Sequence, residues 1–157
     1  MTSTLATSPA VTREPAAPVT VRDRFNDPAY QAFWLLRVGF TVAPILFGLD
    51  KYFHVLVNWD RYLAPVIVRQ TPWTAHQIMY AVGAIEIVAG LVVALRPRFG
   101  GYLVAAWLAG IIVNLLLVPG FYDVALRDFG LFIAAVALAR LATAFATTPR
   151  RGANARV

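Results

Sequence analysis

Four apolar stretches, at about 32–53, 74–95, 99–118 and 124–146, constrain this chain more than any other feature. Each is close to the run of about 20 residues that a helix, rising about 1.5 Å per residue, needs to cross about 30 Å of hydrocarbon. Runs such as Ile111-Ile112-Val113 and Leu115-Leu116-Leu117-Val118 show no alternation of period two, so the segments read as helices and not strands. A lone segment in lipid must also satisfy its own backbone hydrogen bonds. The pattern predicts an all-α, polytopic membrane protein, a bundle of four transmembrane helices with a short interfacial segment on its outer side. Composition agrees: of 157 residues, 59% are hydrophobic and 14% charged, against about 45–50% and about 25% in soluble domains. A water-soluble fold of this length could not hide so much apolar surface.

The flanks have a different character. Residues 1–29 are rich in Thr, Ala, Pro and Ser with mixed charges, and 148–157 are basic, so both read as flexible tails around a transmembrane domain at 30–147. No apolar run in the first tail is long enough for a signal-peptide core. Four spans leave both tails on one side. Arg13, Arg22, Arg24, Arg96, Arg98, Arg150, Arg151 and Arg156 would share that side, against Lys51, Arg61, Arg69 and Arg127 opposite. The excess predicts that both termini are cytoplasmic. The net charge of +6 then reports orientation, not nucleic-acid binding. The longest connection, 54–73, carries Trp59, Tyr62 and Trp73, residues suited to a water–lipid boundary, and reads as a short interfacial helix or half-buried cap.

The chain has no cysteine and only two histidines, His54 and His76. Thiolate chemistry, iron–sulfur clusters and Cys-ligated zinc are therefore excluded, and no metal site is expected. The histidines sit at helix ends near water, poor positions for the axial ligands of a haem. No residue set for hydride, thiol or metal catalysis is present. The expectation is a protein without an intrinsic cofactor, leaning away from an enzyme in its own right.

Polar residues within the spans carry the remaining information, because ionisable groups are costly in hydrocarbon. Arg37, Thr41, Pro44, Gly48 and Lys51 fall on one helical stripe of the first span; His76, Met79, Gly83, Glu86 and Gly90 fall on one stripe of the second. Small residues on both stripes would let the backbones approach closely. Helix rise places Glu86 about 15 Å from either end of its span, with Arg37 and Arg140 at compatible depths from the inner side. This predicts a buried cluster of Arg37, Glu86 and Arg140, a candidate ligand site, with Glu86 ionised and held by Arg37. Asp50, Lys51, Asn114, Arg127 and Asp128 would form a polar layer at the outer side. Each group also has a plainer role open to it. Arg37 and Arg140 can snorkel to headgroups, Asp50 and Lys51 can end a helix at the interface, and Asn114 can bond between helices. Trp34, Trp107 and Tyr80 read as packing or interfacial-belt residues.

The strings Arg37-Val-Gly-Phe, Gly48-Leu-Asp-Lys51 and Ala84-Ile-Glu86-Ile-Val-Ala-Gly90-Leu resemble the DoxX-like family of small four-helix membrane proteins. That family shows an Arg early in its first helix, a Gly-x-x-Lys near the end of it, and a Glu followed by small residues in the second. Arg37, Gly48, Lys51, Glu86 and Gly90 fit this pattern, and the resemblance covers about residues 30–146. The resemblance implies an accessory subunit associated with quinone-linked oxidation or with membrane oxidoreductase assemblies, and it carries over no catalytic residue.

Three functions stay open on the sequence. The first is an inner-membrane accessory subunit that binds a hydrophobic ligand such as a quinone or scaffolds a redox complex. The second is a small proton-coupled transporter with Glu86 as carrier, and the third a purely structural membrane subunit. The expected partners are the lipid bilayer, other membrane or redox proteins and, as a further candidate, a second copy of the chain.

Overall fold

The computed structural model describes residues 25–146, and nearly all of both expected tails lies outside that range. Four long helices are present: α1 (Pro28–Phe53), α3 (Ala75–Leu95), α4 (Pro97–Leu116) and α5 (Tyr122–Ala146). Between α1 and α3 lie a 3-10 turn, Trp59–Tyr62, and a five-residue helix α2 (Pro65–Arg69). All four long helices are long and apolar enough to cross a membrane, and the described residues contain no strand. The protein is an all-α membrane bundle.

Local chemistry sets the helix ends. The Asp27 side chain accepts a hydrogen bond from Ala29 N at 2.9 Å, with Pro28 in the first turn of α1. A reciprocal Thr74–Gln77 capping box opens α3. Arg96 both ends α3 and precedes Pro97, whose fixed φ suits a first helical turn, so the chain reverses within one residue.

The helices run up, down, up and down. In this ring α1 packs on α3, α3 on α4, α4 on α5 and α5 back on α1. Glycines set the α1–α3 distance: a Cβ built on Gly48 would lie 2.6 Å from Gly83 O, one on Gly83 2.7 Å from Gly48 O, and one on Gly90 2.7 Å from Thr41 O. The two expected stripes do face each other, in antiparallel register. At the end of the bundle away from the 54–73 connection, Phe33, Phe40, Ala89, Val93, Val104, Ala105, Leu138 and Ala142 form a continuous buried core. Large apolar side chains such as Leu35, Val88, Val113 and Ile133, one from each long helix, are exposed around the outside, the surface a bilayer would cover.

Candidate functional site

The 54–73 segment folds into a cap over one end of the bundle. His54 ends α1 in the left-handed region, φ 54° and ψ 42°. Asp50, one turn earlier, holds the chain as it folds back. Its carboxylate accepts hydrogen bonds from Val55 N (2.9 Å), Leu56 N (3.0 Å) and Trp59 Nε1 (2.7 Å). From α4, Asn114 completes the attachment. Its Oδ1 accepts from Ala64 N at 2.8 Å, and its Nδ2 donates to Tyr62 O at 2.6 Å. Asp50 and Asn114, two of the five residues of the expected outer layer, are thus anchors of the cap.

Beneath the cap is a cavity of about 760 Å³, bounded by α1, α3, α4, α5 and the cap. Its wall is mostly apolar, with Phe47, Met79, Val82, Leu108, Ile111 and Leu131 contributing. The polar exceptions gather at one level. Lys51 Nζ donates to Glu86 Oε2 at 2.6 Å, and both side chains are almost fully enclosed, 4% and 12% exposed. Trp59 covers the ammonium, its ring centroid 3.8 Å from Nζ, so this cation is held by a carboxylate below and a π face above. Trp107 Nε1 is buried beside the Glu86 carboxylate and points a donor toward it, without reaching hydrogen-bond geometry with any described residue. Asp128 and Arg127 also contribute to the wall.

This arrangement corrects the expected pairing. Glu86 is held by Lys51, not by Arg37 or Arg140. Arg37 instead donates to Ala94 O at 2.6 Å, a carbonyl in the last turn of α3, and its guanidinium lies 4.8 Å from the Trp34 ring centroid. Arg140 is exposed on α5, and among the described residues it has no ion pair. The reason lies in side-chain direction, which depth counting ignores. Helical side chains lean toward the N-terminus of their helix. In antiparallel α1 and α3 that tilts Lys51 away from the cap and Glu86 toward it, so they converge. It tilts Arg37 away from Glu86, toward the end of α3.

The expected outer layer divides as well. Arg127 meets Asp123, not Asp50, in an exposed contact at 3.7 Å, and Lys51 turns to Glu86, not to Asp50 or Asp128. Trp107, expected only as a packing or belt residue, contributes to the cavity wall. Its spacing with Ile111 and Asn114, i, i+4 and i+7, was the available signal that it faces the cavity. The two histidines, separated by the whole cap in sequence, stack with ring centroids 5.0 Å apart and planes 17° from parallel. No family model, curated protein or solved structure matches the chain.

Proposed function

We propose that the chain is a DoxX-like accessory subunit of a bacterial inner membrane, both termini cytoplasmic, that holds a hydrophobic carbonyl-bearing ligand such as a quinone and presents it to a membrane redox assembly. The observation that carries this reading is the cavity beneath the cap. Its volume of about 760 Å³ falls within the range of about 300–1,000 Å³ common for small-molecule sites, and its few polar groups on an apolar wall follow the usual plan of such sites. Trp107 Nε1 is a buried donor in that wall, beside the Glu86 carboxylate but outside hydrogen-bond geometry with any described residue. A quinone carbonyl would supply the acceptor, its ring would fit among Trp59, Trp107 and Met79, and its tail would follow the apolar side chains toward lipid. Lys51 and Glu86, two of the residues on which the DoxX-like resemblance rests, line this cavity, and a third, Gly48, packs α1 onto α3 at Gly83 and Ile87. Electron transfer would need the bound ligand and a partner, since the chain offers no redox group of its own. A carboxylate already paired with an ammonium at 2.6 Å gives the proton-carrier alternative less support.

The test is direct. Protein purified in mild detergent should yield a quinone on lipid extraction and mass analysis, and a short-chain soluble quinone should quench the fluorescence of Trp59 and Trp107. Gly110 contributes to the wall, and a Cβ there meets nothing within 4 Å. Gly110→Phe should therefore fill the cavity without forcing the helices apart and weaken quenching at least about tenfold, the effect of losing about 1.4 kcal/mol of contact. No extracted quinone together with quenching equal in wild type and Gly110→Phe would refute the reading.

A further inference from the structure

We propose that His54, Asp60 and His76 form a binding site for one divalent transition-metal ion, of which zinc is the simplest probe. The site is separate from the cavity polar pair and departs from the absence of a metal site expected on the sequence. The three residues come from the end of α1, the 3-10 turn of the cap and the first turn of α3. One potential ligand atom from each lies within 4.8 Å of the others. Donor atoms around a tetrahedral zinc, with bonds of about 2.0–2.1 Å, stand about 3.3 Å apart. Adjustments of about an ångström at χ angles would close the cluster onto an ion.

Three independent details point to a ligand here. His54 Nε2 and Asp60 Oδ1 are both buried atoms, and neither has a hydrogen-bond partner among the described residues; buried polar atoms are rarely left so. His76 is already oriented, with Nδ1 3.4 Å from Asp60 Oδ2 and Nε2 2.8 Å from the Tyr80 hydroxyl. A hydrogen-bond partner on the nitrogen that faces away from the ion is what fixes the ring of a metal-bound histidine. Finally, His54 is the only non-glycine residue with positive φ among the described residues. That conformation is uncommon outside glycine, and here it brings the His54 ring over His76. Two imidazole nitrogens and one carboxylate oxygen are a donor set that zinc and its neighbours accept. The His76 side chain is 47% exposed, which leaves a path for the ion and for a water as further ligand. A bound ion would join the three segments that close the cavity, and so fasten the cap.

The experiment uses the full chain in detergent, without a histidine tag, in slightly alkaline buffer where free imidazole is neutral. Zinc is titrated against a chromophoric chelator, and copper(II) is bound for nitrogen-resolved electron paramagnetic resonance. The chain has no other histidine and no cysteine, so any imidazole signal belongs to this pair. One equivalent of zinc should bind, and the copper spectrum should carry two imidazole couplings. Even outer partners of metal ligands carry about 10–100-fold in affinity. His76→Ala, Asp60→Asn and His54→Asn should each weaken zinc by more than about tenfold, and each histidine variant should lose one coupling. Asn keeps the left-handed conformation accessible at position 54, and metal-free melting of every variant separates lost ligation from lost folding. Failure to bind zinc at micromolar concentration, or unchanged binding in the folded His54→Asn/His76→Ala double variant, would overturn the site.

Discussion

The two ends of this bundle are built from the same helices and solve opposite problems. At the end away from the cap, Phe33, Phe40, Val93 and Leu138 close the interior, and Arg37 is turned onto a helix-terminal carbonyl and an aromatic face. At the capped end the interior opens into about 760 Å³, and its cation and anion are locked together inside. A packed end needs no polar interior. A hollow end can keep one because Lys51 and Glu86 satisfy each other while Trp59 and the cap seal them from above. The two ends use charge differently: at the closed end Arg37 finishes a helix, and at the open end charge lines a cavity.

The strongest way to break this comparison is to unpair the open end. Lys51→Met or Glu86→Gln alone leaves a buried charge without its partner. In soluble cores such a change costs roughly 3–5 kcal/mol, and a membrane reference state softens it. Either variant should lower the detergent melting temperature sharply. The double variant Lys51→Met/Glu86→Gln should melt above both single variants. Melting losses that simply add would show that the pair contributes nothing as a pair.

Next in size is the close approach that lets Lys51 reach down to Glu86. A Cβ on Gly83 would meet Gly48 O at 2.7 Å and lie 3.2 Å from Lys51 Cβ. Gly83→Val must push α1 and α3 apart, at a cost of about 1–3 kcal/mol for overpacking. Gly110→Val, at a wall position open to 4 Å, should leave melting within about 0.5 kcal/mol of wild type. Equal effects at the two glycines would mean that the α1–α3 contact does not set the bundle.

Much of this was legible in the sequence. Four apolar runs gave the helices, and the Gly48, Gly83 and Gly90 stripes gave the α1–α3 face, because both depend on spacing along one chain. The partner of Glu86 was not legible from depth alone. Arg37 and Lys51 lie on the same stripe on opposite sides of it, and the choice rests on the lean of side chains in antiparallel helices. The cap was visible as an aromatic interfacial segment, but not its fastening. Asp50 looked like a helix-ending charge, and only the left-handed turn at His54 brings Val55 N, Leu56 N and Trp59 Nε1 onto it. The histidine pair was hidden for the same reason, since no periodicity connects residues 54 and 76 across an irregular segment.

The smallest expected effect separates the two arginines that the sequence treated alike. Arg37 Nη2 bonds Ala94 O, one of the last α3 carbonyls without an intrahelical partner, where positive charge also complements the helix dipole. A hydrogen bond from a charged donor contributes about 1.5–3 kcal/mol, and the Trp34 face adds about 0.5–1 kcal/mol at an exposed position. Arg37→Met keeps the length and apolar stem while removing both, and should cost about 2 kcal/mol in detergent melting. Arg140 is exposed, with no ion pair among the described residues. Surface changes of that kind usually stay within about 0.5 kcal/mol, so Arg140→Met should melt close to wild type. The Arg37→Met/Arg140→Met double variant should equal the sum of the two, because the residues share no partner. Coupling between them, or a loss at Arg140 as large as at Arg37, would put a second buried charge cluster at the closed end and erase the contrast between the two halves of the bundle.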